Sequence, residues 1–550
     1  MQKRTLLAAA AALGLALPGS FAQAVKAPPK PAQAARAAMK TAPNANRFDR
    51  ELAGVFEARE RDWRNGPVVY QVLVDRFAPS ATLDAKRHLY PAPKNLRGWD
   101  ELPRAGQYLE QRKLWSHEID FWGGDLQSLA SRLDHVQQLG AGVLYLNPIH
   151  LAYTNHKYDA LDYQVVSPEF GTREDVKALA KNLHGRGMKL VLDGVFNHMG
   201  RNSLVFRQAE ASLDNPYRHW FVFGPQYPGG ARSWALAQNL PELNLEHPAV
   251  RQHLYGAKDS VVRSYLRDGA DGWRLDVAFD IGFNFLDELT RAAHQEKPGS
   301  LVIGEIANYP KEWFPAVDGV LGFTLRQIIL RTVNGQIDPA TAARMVDRMV
   351  AEAGTEPMLK SWLYLGNHDT PRLATALPDE RQRRLAQVLQ FTLPGAPNLY
   401  YGDEVGMLGG DDPEMRAPMR WDQATPDNAT LAWTRQLVKL HNGHRALKVG
   451  NFRLLEGKRL FAFQRYTDRA QDAVYVLANP GTEDVTETLL IPDSKAMDGT
   501  ALTDLLGNNQ GAPLRVQSAL LTATVPAGGV LVLQPNVAPA GGYTNYKRVQ

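Results

Sequence analysis

Four short runs carry polar residues that strand packing does not call for. They are Asp193-Gly194-Val195-Phe196-Asn197-His198, Trp273-Arg274-Leu275-Asp276, Gly304-Glu305 and Gly366-Asn367-His368-Asp369. Arg274 and Asp276 are two apart, so on an extended segment both side chains point to one face. A guanidinium beside a carboxylate favours the ionised form, which suits a nucleophile. Glu305 ends the apolar run Leu301-Val302-Ile303; an apolar setting keeps a carboxyl protonated, which suits a general acid. On adjacent strands such a pair can stand about 5–5.5 Å apart, the separation used when a glycosidic bond is cleaved with retention. Asp369 adds a third carboxylate able to stabilise an oxocarbenium-like transition state, and His198 and His368 can donate to sugar hydroxyls. Plainer readings compete: Arg274 and Asp276 as a buried ion pair, the histidines as partners of loop carbonyls, and the Asp/His set as a metal site. The metal reading is the poorest, because no H-E-x-x-H or closely spaced His cluster occurs.

The elements that must position these residues alternate along the chain. Strand-like runs at Val68–Phe77, Gly142–Pro148, Lys189–Val195, Gly272–Val277, Ser300–Ile306, Val320–Thr324, Trp362–Gly366 and Pro397–Tyr401 are separated by helical patterns. Among those helices are Asp125–Leu139, Arg173–His184, Pro248–Arg267 and Phe283–His294. Eight continuous apolar strands with helices between them predict an α/β chain folded as a (β/α)8 barrel. A doubly wound open sheet is the runner-up, disfavoured because no G-x-G-x-x-G turn follows the first strand. Each polar run ends a different strand, where a barrel builds its active site. From about residue 446 short strands at Phe461–Tyr466, Ala473–Ala478, Thr486–Ile491 and Leu514–Val516 predict a small all-β sandwich.

The front of the chain reads as an address. Lys3 and Arg4 precede an apolar run from Leu6 to Leu17 and the triplet Ala22-Gln23-Ala24, the layout of a cleavable signal peptide over 1–24. Residues 25–63 read as a flexible lead-in, 64–445 as the barrel, 446–537 as the all-β domain and 538–550 as a tail. An exported protein, periplasmic or extracellular, is expected, with no membrane anchor after signal cleavage. The 550 residues carry a formal charge of +4, but the first 50 alone sum to +7, so the remainder is at −3. No basic groove for nucleic acid is implied. With no cysteine, the chain has no disulfide, thiolate metal site or Cys nucleophile.

DGVFNH (193–198), GWRLDVAFD (272–280), GEI (304–306) and LGNHD (365–369) resemble the four ordered motifs of the α-amylase superfamily, glycoside hydrolase family 13. The resemblance extends through YQVLVDRF (70–77), FWGGDLQSL (121–129), NHKYDALDY (155–163), LPELN (240–244) and PNLYYGDE (397–404), and is strongest to the cyclomaltodextrinase, neopullulanase and maltogenic-amylase group. It implies Asp276 as nucleophile, Glu305 as acid/base and Asp369 as transition-state stabiliser. It further implies that Arg274, His198 and His368 contact the glucose at the cleavage point and that Tyr158 stacks on its ring. Asp193 and Asn197 become site-shaping residues, and Asp412 and Arg416 bind glucose on the non-reducing side. A small domain B is implied at about 199–246, after the third strand. The implied partner is an α-1,4-glucan: starch-derived maltodextrins or cyclodextrins. No redox or organic cofactor is required. Calcium is implied only weakly, because Ala78–Lys86 replaces the Asn/Asp-rich calcium loop, leaving Asp125 as the one candidate ligand. Phe279-Asp280 stands where the group carries Asn-Glu, and Ala307 where it carries Trp. A transglycosylase or isomerase on the same fold is the alternative function. A non-catalytic maltodextrin binder is a further one, disfavoured by the intact set of three carboxylates. Trp115, Trp122, Trp220, Phe221, Trp234 and Trp313 fall near predicted loops at the mouth and are assigned no subsite.

Overall fold

The computed structural model describes residues 50–509 and 511–549. The expected signal peptide and most of the expected lead-in lie outside them. Eight parallel strands form one sheet: β1 (Val69–Val72), β2 (Val143–Leu146), β3 (Lys189–Gly194), β4 (Gly272–Leu275), β5 (Leu301–Gly304), β6 (Gly319–Val320), β7 (Trp362–Tyr364) and β8 (Ala396–Tyr400). Their order around the sheet is β6-β5-β4-β3-β2-β1-β8-β7, and a single parallel bridge from Leu321 to Trp362 closes it into the barrel. All eight strands consist of buried residues apart from Lys189 at the start of β3, as strands covered on both faces must be. Val69, Val143, Val191, Leu301, Ile303 and Trp362 fill the barrel interior. A much larger apolar layer joins its outer surface to the surrounding helices.

Four helical or strand segments differ from expectation. The run expected as a strand over Val320–Thr324 is strand only to Val320, and Phe323–Val333 is helical. The run after Val72 leaves the sheet, and Val74–Phe77 turns helical, because the buried Asp75 carboxylate takes the amides of Trp122 and Gly123 at 3.1 and 2.9 Å. The helix expected over 125–139 is two, Leu126–Ala130 and Leu133–Leu139. The helix expected over 248–267 also breaks, with Val261–Arg267 restarting after a turn at Ala257, Lys258 and Asp259.

The lead-in is not flexible throughout. Helix α1 (Arg50–Arg61) is ordered through two residues, Phe56 and Arg59, which are buried. Arg59 donates to the Val449 carbonyl at 3.0 Å and to Asn451 Oδ1 at 2.8 Å, and pairs with Glu356 at 2.6 Å. The guanidinium of Arg445 lies 5.5 Å from the centre of the Phe56 ring.

Two insertions build the mouth of the barrel. Between β3 and the helices that lead into β4, the chain carries the helix Leu204–Ala211 and folds back through isolated bridges His198–Glu242, Phe221–Leu243 and Ser233–Pro241. Between β1 and β2, two small strand pairs, Asn95–Leu96 with Asp120–Phe121 and Tyr108–Leu109 with Leu114–Trp115, lead into a short turn at Ser116–Ile119.

The C-terminal region has eight strands: β9 (Asn451–Leu454), β10 (Phe461–Tyr466), β11 (Val474–Asn479), β12 (Val485–Leu490), β13 (Leu502–Asp504), β14 (Val516–Gln517), β15 (Leu520–Val525) and β16 (Gly529–Pro535). A five-stranded sheet, β9-β10-β11-β16-β13, faces a three-stranded sheet, β12-β15-β14, across an apolar layer that includes Leu477, Leu489, Leu521 and Leu531. The opposite face of the larger sheet, with Phe461, Phe463, Val476 and Val532, packs into the barrel's outer core. Among the described residues no helix is long and apolar enough to cross a membrane.

Candidate active site

In-register neighbours on parallel strands share a face, and Arg274 on β4 pairs with Asp193 on β3 and Ile303 on β5. Because Ile303 points into the barrel, Asp193 and Arg274 do too. Two residues further along, Asp276 and Glu305 emerge at the C-terminal mouth. Arg274 is fully buried, and its Nη1 lies 2.9 and 3.0 Å from the two Asp193 oxygens and 2.9 Å from Asp276 Oδ1. Nη2 lies 2.7 Å from Glu305 Oε1. The other Glu305 oxygen accepts the amide of Val277 at 3.0 Å. Val277 holds that amide in place from a left-handed backbone, φ 48°, a conformation costly for a β-branched residue.

One guanidinium thus serves three carboxylates, and this reverses the charge logic read from the sequence. Burial raises the proton affinity of Asp276 well above that of an ordinary aspartate; Arg274 opposes the shift, while Glu305, Asp193 and Asp369 reinforce it. Burial also raises Asp193, against Arg274 and the Tyr145 hydroxyl. The carboxyl of Glu305 is not in the apolar setting expected of it: Leu301, Val302 and Ile303 are buried below, but the carboxyl itself meets Arg274 and the Val277 amide.

A hydrogen-bonded chain crosses the site floor. Gln71 Nε2 lies 2.9 Å from His368 Nδ1, which fixes the histidine proton on Nε2. That nitrogen lies 2.6 Å from the Tyr158 hydroxyl, and the hydroxyl donates to Asp193 Oδ2 at 3.0 Å. Asn147 donates to the same hydroxyl at 2.9 Å, and Tyr145 donates to Asp193 at 2.6 Å. Burial, followed by the charges of Arg274 and Arg416, pushes His368 far below the usual histidine range. Burial pushes His198 down to about 4, and its ring stacks on Trp234 at 5.6 Å. Both histidines are neutral donors and acceptors at ordinary pH.

Beyond β7 and β8, Arg416 donates from Nε to the His368 carbonyl at 2.8 Å and from Nη2 to Asp369 Oδ1 at 3.1 Å, while its Nη1 lies 3.1 Å from Asp412 Oδ1. The insertion between β1 and β2 brings His117 to 3.6 Å from Asp412 and Glu118 to 2.9 Å from His156. Burial works against the Asp412 carboxylate, but His117 and Arg416 hold it far below the usual range.

These groups line one cavity of about 400 Å³. It gathers Asp276, Glu305, Asp369, Tyr158, His198, His368, Asp412 and Arg416. Arg274 and Asp193 form the floor beneath, and the Asn197 backbone carbonyl ties in the domain B segment by accepting the Leu243 amide at 2.9 Å. Tyr158 reaches the cavity with its ring stacked on His368, 5.4 Å between centroids. Sequence reasoning missed Glu118, His156, Leu240 and Phe323, which also line it. Glu118 and His156 arrive on loops with no periodicity to mark them, and only the chain's folding places them at the mouth. Of the six mouth aromatics, Trp234 alone lines the cavity. Trp122 lies under the Arg76 guanidinium at 4.2 Å, Trp220 and Phe221 are buried in the domain B segment, and Trp313 stacks on Phe283 at 3.9 Å.

Asp125 does not fit a calcium site. One of its oxygens caps helix Leu126–Ala130 by accepting the Ser128 amide at 2.7 Å, and the other lies 2.6 Å from the Lys86 ammonium. A cation is already fixed on the carboxylate, and a second would be repelled. Among the described residues no group of three or more His, Cys, Asp or Glu side chains is arranged to hold a metal.

Residues 71–451 match the family profile described as "Alpha amylase, catalytic domain". A cyclomaltodextrinase from a Bacillus species is 33% identical over 438 residues, covering 76% of this chain and 73% of its own length. Neopullulanase 2 of Thermoactinomyces vulgaris is 31% identical over 478 residues, covering 81% of this chain and 76% of its own. Among solved structures, the ligand-free cyclic alpha-maltosyl-(1-->6)-maltose hydrolase of Arthrobacter globiformis superposes with a TM-score of 0.71 at 29% identity, across 86% of this chain and all of that one.

Proposed function

The chain belongs to the alpha-amylase family of glycoside hydrolases, and from that premise we propose that it cleaves α-1,4-glucosidic bonds of maltodextrins or cyclodextrins with retention, through a covalent glycosyl–Asp276 intermediate. The observation that carries this is the Arg274 fork, which holds Asp276 and Glu305 on its two nitrogens at 2.9 and 2.7 Å. A bridge of that length suits the short carboxyl separation of a retaining pair, about 5–5.5 Å, rather than the wider gap that admits a water molecule in an inverting one.

In this reading Glu305 gives its proton to the glycosidic oxygen while Asp276 attacks the anomeric carbon. The C1–O bond breaks, and a β-linked glycosyl ester forms. Water then attacks C1 with Glu305 as base, Asp276 departs, and the α configuration is restored. Asp369, whose Oδ2 lies 3.0 Å from His368 Nε2, faces the developing positive charge, with the neutral imidazole beside it. Asp412 and Arg416 take the glucose on the non-reducing side. Neither a redox group nor an organic cofactor enters these steps, and the Lys86–Asp125 pair supports a chain that works without calcium. The signal-like layout of residues 1–24 supports export before the enzyme meets its glucan.

The test is a product profile on maltotriose, starch, pullulan and cyclodextrins with the anomeric configuration followed by NMR, run beside Asp276→Asn and Glu305→Gln. Release of α-anomers by the natural enzyme, and loss of at least about 10³ in turnover by both variants, is expected. β-Anomeric products, or near-normal turnover in either variant, would sink the assignment. Products longer than maltotriose would favour transfer over hydrolysis.

A further inference from the structure

The mouth of the barrel is divided in two. The half built on β7, β8, β1 and β2 presents Asp369, Asp412, Arg416, Glu118 and His156, already tied together by the ion pairs described above. The half built on β3 to β6 presents, besides Asp276 and His198, the apolar residues Trp234, Leu240, Val277, Phe279, Ala307 and Phe323. Glu305 stands in the second half, and its carboxyl is turned toward the 277–279 turn by the Val277 amide. A proton donor protonates the oxygen of the group that leaves, so the leaving group lies on Glu305's side of the cleaved bond.

We propose that this enzyme's leaving-group side is built for an apolar aglycone, so that it cleaves α-maltosides of aryl alcohols, and that Phe279 is the residue that selects them. The inference rests on the glycosidase reading above. Phe279 is 36% exposed and lines the cavity directly beside the reacting carboxylates. Ala307, two residues past Glu305, lines the same cavity and offers only a methyl group, with nothing to donate to a sugar hydroxyl. On the same two loops, Phe283 is 48% exposed over the face of Trp313, the rings 3.9 Å apart. A flat apolar ring can stack here and lose water from both faces, whereas a second glucose finds few hydrogen-bond partners for its hydroxyls. The chemistry balances as it does for a glucan: Glu305 gives its proton to the benzylic oxygen, the C1–O bond breaks, Asp276 holds the maltosyl group, and benzyl alcohol leaves.

The test compares benzyl α-maltoside with maltotriose, both of which lose an unactivated alcohol. Purified natural enzyme should cleave the benzyl compound with kcat/KM at least equal to that for maltotriose. Phe279→Asn should lower the benzyl-to-maltotriose ratio by about tenfold or more, chiefly through KM, while Phe279→Tyr keeps it within about threefold. The thermal midpoint of each variant reports folding, and because a ratio is read, a partly unfolded preparation does not mimic the effect. The proposal is overturned if maltotriose is preferred about tenfold or more by the natural enzyme, or if Phe279→Asn lowers both substrates equally. Failure of the natural enzyme to cleave either substrate would strike the glycosidase reading itself, and this one with it.

Discussion

Nη1 of Arg274 lies 2.9 Å from Oδ1 of Asp276, and the carboxyl still holds its proton more tightly than an ordinary aspartate does. The guanidinium is fully buried and spread over Asp193, Asp276 and Glu305, so no one of them receives its full charge. Burial and mutual repulsion outweigh what is left. In the proposed reaction Asp276 is then a nucleophile whose ionised form the fold disfavours, a state suited to forming a bond to carbon.

It follows that Asp276→Asn trades activity for stability. The folded chain binds the Asp276 proton more tightly than the unfolded chain does. The natural protein therefore loses stability as pH rises through the raised folded value and carries no penalty below the unfolded value of about 3.9. The thermal midpoint of Asp276→Asn should exceed that of the natural protein at neutral pH, and the gap should close as pH approaches about 4. Scanning calorimetry at several pH values checks this; a lower midpoint at neutral pH would contradict it.

Arg274→Lys should fail on both counts. One ammonium has no planar fork with which to hold two carboxylates on opposite nitrogens, and three buried acids are left undercompensated. We expect a loss of about 3 kcal/mol in urea unfolding and at least about 10² in kcat/KM.

His368 should not titrate where histidines usually do. With burial, Arg274 and Arg416 all opposing its protonation, its imidazole C–H resonance should stay fixed from about pH 8 to 5. The acid limb of the activity profile then belongs to carboxylates. A midpoint for His368 near the free-histidine value would contradict the floor network as drawn.

Lys86 should stand in for a metal. Lys86→Ala leaves the buried Asp125 oxygen without its cation and should cost about 2 kcal/mol, whereas a chelator should leave the thermal midpoint of the natural protein unchanged. A chelator-induced drop would overturn this assignment.

Much of this was legible before any coordinate. The eight barrel strands read as continuous apolar runs because both faces of each are covered, and period-two spacing alone placed Arg274 and Asp276 on one face. What spacing within a strand cannot carry is register between strands. That Arg274 sits beside Asp193, and that its fork also reaches Glu305, follows from pairings across β3, β4 and β5, and with them went the expected ionisation logic. The 95–121 insertion is ordered by long-range contacts such as the Asp75 carboxylate on the Trp122 amide, not by any repeat of its own. Helix α1 escaped notice because, among its described side chains from Leu52 to Arg61, only Phe56 and Arg59 are buried, too few to print an apolar stripe. In the C-terminal sandwich, β15 does alternate, Leu521, Ala523 and Val525 facing in, and could have been read.

The anchoring of α1 can be tested by Phe56→Ala, which empties a fully buried ring site. It should cost about 3 kcal/mol and leave KM for maltotriose unchanged, since no residue of α1 lines the cavity. A shifted KM would place the helix in a role it is not assigned.

The pairing of β1 sets a timetable for the chain's manufacture. One edge of β1 bonds to β2, but the other bonds to β8, with Val69 opposite Asn398. The Arg59 side chain likewise waits for partners 297 to 392 residues downstream. At the about 5–20 residues per second of protein synthesis, the earliest strand of the barrel stays half-paired for about 20–60 s after it is made. The first strand to be translated is among the last to be completed, so the ribosome's pace sets how long that sticky edge must be kept from its neighbours.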